Sequence, residues 1–322
     1  MMGERRPDGK GAGSAESVGG WQQAESVGEA CRVNVRGGID FGYTVDPEED
    51  TRLASRTPKR RTRQGKTTRR TNVRTTAPAR RGLMIVSEVP DRAMVIFAHP
   101  DDAEIASGGV IARWVAAGCE VTYVLCTNGA AGTADRGLSP EALAEKRAAE
   151  QRAAADFMGV KHLVMLNYPD GGLEASRDFL GDVVRAIRTY RPHTVFAHDP
   201  HRIKGFQHRD HRMVGIVATD AVYPFARDHL HFNEQIAQDG LEPHKVRELW
   251  YWGADEPEII VDVTASIDRQ IDALVRHESQ VPGFNVASGQ TIGERLKASA
   301  AAQARGYRFK YGATFRRLVA RA

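Results

Sequence analysis

The chain has 322 residues, a formal net charge of +4 and three cysteines. That is enough for one large domain or two ordinary ones, while Cys31, Cys119 and Cys126 are too few and too scattered for a disulfide framework or a CxxC metal site, so a reducing cytoplasm is the expected compartment. No apolar run approaches the roughly 18 residues of a membrane span, and Arg5-Arg6 leads into Pro-Asp-Gly-Lys rather than an apolar segment, so neither a span nor a secretory signal is expected.

Charge divides the chain unevenly. Residues 1–82 carry 17 Lys and Arg against 10 Asp and Glu, a net of +7, which leaves −3 for the remaining 240 residues. The basicity therefore says little about what the folded part binds. The first stretch has no sustained hydrophobic period. Ala15-Glu16-Ser17-Val18-Gly19 recurs as Ala24-Glu25-Ser26-Val27-Gly28, and a basic run follows at 58–70 with no aromatic among its charges. Such a segment buries too little apolar surface to offset its chain entropy, so residues 1–88 are expected to be a disordered, basic, low-complexity tail. Phosphate contacts alone would be non-specific, and without stacking side chains nucleic acid is not an expected partner. A start near Met84 is an alternative reading of the N-terminus, which a natural peptide from before Met84 would exclude.

From residue 89 to 322 the pattern becomes regular. Strand-like apolar runs fall at Met94–Ala98, Val121–Cys126, Leu163–Leu166, Thr194–Ala197, Leu249–Trp252 and Ile259–Val263. Helix-length segments lie between them. Ile105–Val115 is one; the next opens with Ser139 as cap, Pro140 and Glu141, runs to Met158 and stops at Gly159. Phe179–Tyr190 has helical spacing and ends before Pro192. Met213–Val222 and Ile267–His277 complete the set. The alternation predicts a single α/β domain with a Rossmann-like, mostly parallel sheet and helices on both faces. The dinucleotide fingerprint GxGxxG is absent from the first strand-to-helix turn. That turn reads Ala98-His99-Pro100-Asp101-Asp102-Ala103-Glu104, and its carboxylates would repel a pyrophosphate.

That turn is one of two clusters of chemistry. His99 and Asp102 are placed to face one metal ion, with Asp101 aimed elsewhere; the alternative is a solvated turn whose carboxylates cap the next helix. The second cluster follows the strand at 194–197: His198-Asp199-Pro200-His201, then His208-Arg209-Asp210-His211 at the start of a helix, where His208 and His211 share a face. Two His/Asp-dense turns on one sheet edge point to a metal site.

The pair AHPDDAE (98–104) and HRDH (208–211) resembles the LmbE / PIG-L family of metal-dependent N-acetylglucosamine-type de-N-acetylases. The likeness extends over about 93–280, through TNGAAG after the second strand, Lys146–Glu150, Val261–Thr264 and His277-Glu278-Ser279-Gln280. It implies that His99, Asp102 and His211 hold a divalent metal, usually Zn2+ with Fe2+ as another fit, and leave a position for water. It implies that Asp101 is the general base, that His208 stabilises the oxyanion or acts as acid, and that Asp210 orients His208 and keeps it charged. Arg147 and Asn128 are candidate substrate contacts, and Glu104 a support for the turn. Two positions depart from the pattern. Phe206 stands where some members carry an aromatic hydroxyl, and Ala130 stands where an acid often follows the glycine of the second loop. The expected function is therefore Zn-dependent removal of acetyl from an N-acetylated amino sugar or a small-molecule conjugate of one. A non-catalytic, metal-dependent sugar-binding or regulatory protein is the alternative. A homo-oligomer is compatible with the sequence, which does not name the sugar or give a role to 277–280.

Overall fold

A computed structural model of the chain describes residues 82–281 and 289–320. The expectation of a tail lies, through residue 81, outside the described residues. In chain order the elements are β1 (Met84–Ile85), β2 (Arg92–Phe97), α1 (Asp102–Ala116), β3 (Glu120–Thr127), α2 (Pro140–Met158), β4 (His162–Tyr168), α3 (Arg177–Tyr190), β5 (Thr194–His198), α4 (Arg209–Val222), α5 (Asn233–Ala237), β6 (Glu248–Trp252), β7 (Ile259–Asp262), α6 (Ile267–Leu274), α7 (Ile292–Gln303) and β8 (Gly312–Val319). The ordered sheet takes up the chain at Met84, a few residues before the expected start at 89, because Met84 and Ile85 pair in parallel with Ile259 and Ile260.

The eight strands form one sheet in the order β1-β7-β8-β6-β5-β2-β3-β4. It is parallel except for β8, which runs antiparallel to both β6 and β7. Strand β2 is apolar at every position after Arg92 because both of its faces are covered. Ala93, Val95 and Phe97 pack with Val110, Trp114 and Ala273 of α1 and α6. Met94, Ile96 and Ala98 pack with Val183, Ile187, Val214 and Ala218 of α3 and α4. Fully burying side chains of the size of Ile96 and Phe97 contributes about 1.5–3 kcal/mol each. Helix α2 begins and ends where its cap chemistry dictates: Ser139 accepts the amide of Ala142, and Gly159 takes a φ of 78° at the C-terminus. No helix among the described residues is long and apolar enough to cross a membrane.

The connectivity places the site. From β2 the chain steps outward to β3 and β4, then returns to lay β5 on the other side of β2. Strand order therefore reverses between β2 and β5. In an open α/β sheet the connections leaving such a pair diverge to opposite faces and open a crevice at the carboxyl ends. Both motif turns leave those two strands.

Candidate metal centre

At the end of β2, residues Ala98 to Asp101 make the turn into α1, and Asp101 occupies the N-cap with a left-handed φ of 94°. At the end of β5, the loop 199–207 leads to His208, which caps α4 by accepting the backbone amide of Asp210 on Nδ1 at 3.2 Å. Helix α4 approaches this closely because residue 215 is glycine: a Cβ there would lie 2.5 Å from the carbonyl oxygen of His198.

The turns bring three donor groups to one point. Nδ1 of His99 lies 3.2 Å from Nε2 of His211 and 3.5 Å from a carboxylate oxygen of Asp102, and the other oxygen of Asp102 lies 3.2 Å from Nε2 of His211. Ligands about 2.0–2.1 Å from a tetrahedral metal are about 3.3–3.4 Å from one another. The spacing of the donor set thus fits a divalent cation. Burial opposes charge on His99, yet the bonds to Asp102, Asp170 and Asp210 outweigh it and push the imidazole up to about 12. The cluster is a negative site gathered around one ring.

The two ring nitrogens of His99 have different partners. The carboxylate of Asp210, fully buried, accepts the amides of Gly171 at 2.7 Å and Leu173 at 3.2 Å, and faces Nε2 of His99 at 3.1 Å. Ligation requires the ring to give up one proton; with the remaining proton on Nε2, facing the carboxylates, Nδ1 would be the lone-pair donor, the arrangement by which carboxylates orient metal-binding histidines. The expected pairing of Asp210 with His208 is not what the geometry shows: Asp210 gives His208 only its backbone amide, because its carboxylate is already taken by His99 and two amides. His208, exposed and with its ring centre 4.5 Å from that of His99, lacks the partner that would keep it charged. Burial, then the charges of His99 and His211, lower its pKa.

His198 packs against the cluster. Trp252 donates Nε1–H to its Nδ1 at 3.0 Å, and Nε2 of His198 lies 3.4 Å from both the amide nitrogen of Ala98 and a carboxylate oxygen of Asp102. The ring stacks on His211 with centroids 3.9 Å apart. Burial first, then the charges of His211 and His99, hold it at about 4 despite Asp102. Asp199 serves the scaffold through a two-pronged bond to Arg316 of β8 at 2.9 and 2.8 Å, and His201 is exposed. Phe206 is fully exposed.

Asp101 is buried, and burial, then Asp102 and Glu104, hold its carboxyl well above the ordinary carboxylate range. Arg147 is brought to the site, but its donors meet the carbonyls of Gly129 at 2.7 Å, Ala131 at 2.6 Å and Gly132 at 3.2 Å. Asn128 likewise spends its side-chain oxygen on the amides of Ala130 and Asp170. Both residues shape the loop after β3.

Asp170, in Tyr168-Pro169-Asp170-Gly171-Gly172 after β4, joins the cluster although it is not among the residues expected from the sequence. One of its oxygens lies 3.2 Å from Nε2 of His99 and the other accepts the amide of Ala131 at 3.1 Å. The signal was present: an acidic, Gly-rich turn leaving the next strand on the same edge. The segment 277–280 also acquires contacts. Nε2 of His277 lies 3.3 Å from Glu104, Ser279 donates its amide and hydroxyl to Glu150, and Gln280 donates to the carbonyl of Pro100 at 2.6 Å.

A family model described as GlcNAc-PI de-N-acetylase (PIG-L) matches residues 94–222, a span that holds both motif turns. A diacetylchitobiose deacetylase of Thermococcus kodakarensis is 32% identical over 191 residues, covering 59% of this chain and 70% of that protein. A 1D-myo-inositol 2-acetamido-2-deoxy-alpha-D-glucopyranoside deacetylase of Segniliparus rotundus is 31% identical over 198 residues, covering 51% of this chain and 58% of that protein. In three dimensions the chain superposes on N,N'-diacetylchitobiose deacetylase from Pyrococcus horikoshii with a TM-score of 0.66 at 31% identity, over 71% of this chain and 84% of that one. On these relationships the chain belongs to the PIG-L family of GlcNAc-PI de-N-acetylases.

Proposed function

We propose that the protein is a Zn2+-dependent amide hydrolase that releases acetate from an N-acetylated amino sugar or its small-molecule conjugate, in the cytoplasm. The observation that carries this reading is the trio of donor atoms 3.2–3.5 Å apart at the switch point. Its relatives' names support the substrate class, since both the diacetylchitobiose and the inositol glucopyranoside deacetylases are named for acetylated sugars.

In this reading His99 through Nδ1, Asp102 and His211 hold the metal. When bound, the cation supplies a Lewis acid for the acetamide carbonyl and lowers the pKa of water. Asp101, beside the ligands but not among them, takes a proton from the attacking water as oxygen adds to the carbonyl carbon. Burial raises its pKa from the ordinary carboxylate range, and a general base works best as its pKa approaches the working pH. His208, with Nδ1 occupied by the amide of Asp210, presents Nε2–H to the oxygen on which charge develops. Collapse of the tetrahedral carbon breaks the C–N bond, and Asp101 returns its proton to the leaving nitrogen. Acetate and a free amine result. Asp210 acts on His99 by fixing its tautomer. Asp170, facing the same nitrogen, adds to the field that holds the ring. A non-catalytic sugar-binding protein would have no use for Asp101 or His208, so that reading is set aside.

The test is acetate release from N,N'-diacetylchitobiose and other N-acetylglucosaminides by Zn-loaded protein. Asp101→Asn should lower kcat by about 10²–10⁴-fold with the metal retained, and His99→Ala and His211→Ala should lose bound metal. Wild-type turnover in Asp101→Asn, or full metal content in the histidine variants, would overturn the assignments.

A further inference from the structure

Asp101 sits in a backbone conformation that residues other than glycine enter rarely, with φ 94° and ψ −27°. Something must hold it there, and two side chains from distant parts of the chain do. Gln280 donates its Nε2–H to the carbonyl of Pro100 at 2.6 Å, and the amide of Asp101 donates to Oε1 of Gln151 at 3.2 Å. That carbonyl and that amide belong to the same peptide group. A planar peptide gripped at both polar atoms cannot rotate, and φ of Asp101 is the angle about the bond that joins this plane to its Cα. Rotation there swings the Asp101 side chain relative to His99, two residues earlier. The pair of glutamines therefore sets the separation of carboxylate and metal donors.

Neither glutamine is loose. Gln151 is fully buried on α2, and its Nε2 donates to Glu104 at 3.2 Å, itself fully buried against His277. Gln280 is held by its own amide on the carbonyl of His277 at 2.9 Å, while Ser279 is tied to Glu150 at 2.9 Å through its amide and 2.6 Å through its hydroxyl. Residues 277–280 thus strap the turn 100–104 to α2.

We propose that Gln151 and Gln280 are positioning residues for Asp101, acting by clamping the Pro100–Asp101 peptide. The inference rests on Asp101 serving as base in the reaction proposed above. Gln280 is only half-buried, so Gln280→Met should fold, and it removes one grip without touching Asp101 or a metal ligand. With N,N'-diacetylchitobiose as substrate, kcat should fall roughly 10–100-fold, as for displacement of a reacting group by a fraction of an ångström to an ångström. KM and zinc content should stay at wild-type values. Gln280→Lys, which restores a donor to the Pro100 carbonyl, should recover most of the loss. Gln151→Met should behave like Gln280→Met, and the double variant should lose much less than the product of the two, since both hold one peptide.

In an Asp101→Asn background, Gln280→Met should cause no further loss. Wild-type kcat in folded Gln280→Met would overturn the inference, as would a loss carried by KM or zinc content, a multiplicative double variant, or an undiminished effect in the Asp101→Asn background. If Asp101→Asn itself turns over like wild type, the base assignment fails and the inference with it. A dead Asp101→Asn beside a fully active Gln280→Met defeats the clamp alone.

Discussion

Gly215 is the point at which the spacing of the metal donors is most exposed to a single methyl group. Helix α4 carries His208, Asp210 and His211 and meets the end of β5 through this glycine. A Cβ there would stand 2.5 Å from the carbonyl oxygen of His198 and 2.9 Å from both N and Cδ of Pro200. Ordinary contact begins at 3.4 Å, so about 0.9 Å is missing. The atoms met are backbone and a proline ring, which cannot swing aside. Gly215→Ala recovers roughly 1 kcal/mol of helix propensity, while overpacking costs about 1–3 kcal/mol. Net destabilisation should therefore be slight, no more than about 2 kcal/mol, which lowers Tm by only a few degrees. The site should suffer far more. Retreat of α4 carries His211 away from His99 and Asp102, whose donors are spaced to within a few tenths of an ångström of a tetrahedral edge. A misplacement near 1 Å costs about 10²-fold in rate. The assay pairs zinc content after dialysis with kcat/KM for acetate release. The expected result is weakened zinc retention and a roughly 100-fold loss in a protein that still melts cooperatively. A Gly215→Ala protein that retains zinc and turns over like wild type would refute the idea that α4 and the end of β5 share one rigid register.

Trp252→Phe removes the donor that fixes His198, so zinc affinity should fall about 10–100-fold in competition with a chelator, with little change in Tm. Arg188 is fully buried and donates to five backbone carbonyls of residues 225–232. Arg188→Met leaves those carbonyls without a donor and should cost about 3–5 kcal/mol in denaturant titration; a loss below 1 kcal/mol would count against a structural role. His244, remote from the metal, has its pKa lowered by burial, only partly countered by its 2.7 Å contact with the Pro192 carbonyl. Since the unfolded chain then binds the proton more readily, the contribution is full above the ordinary value near 6.5 and is lost as pH falls below it. The drop in Tm on acidification should be smaller in His244→Gln.

The two metal-bearing turns were legible because ligation leaves a chemical signature in side-chain identity: imidazoles and carboxylates at short spacing, just past apolar strands. The central sheet was legible for a similar reason, since strands buried on both faces read as unbroken apolar runs. Strand β8 was not. Of Gly312–Val319 the side chain of Phe315 is the one buried large apolar group, and Arg316 and Arg317 interrupt the run while bonding to Asp199 and Glu248 across the sheet. Helix α7 does carry a signature, Thr291 and Glu294, a capping box that closes in the structure.

Roles among the polar residues were harder, and the physical reason is the backbone. Asp210 sits in the motif, yet its carboxylate is directed by amides of Gly171 and Leu173, which any residues at those positions would present. Gln280 recognises a carbonyl and Gln151 an amide, groups that every peptide bond carries. Such a partner has no letter in the sequence, so spacing could place Asp210 near His208 but could not show that it turns towards His99. The same limit affected Arg147 and Asn128, whose polar side chains read as substrate contacts but are engaged by loop carbonyls and amides. Metal ligands converge on one ion and must be particular residues. The frame that aims them is built largely from main-chain groups, and it becomes visible only once the fold brings residues 100, 151 and 280 together.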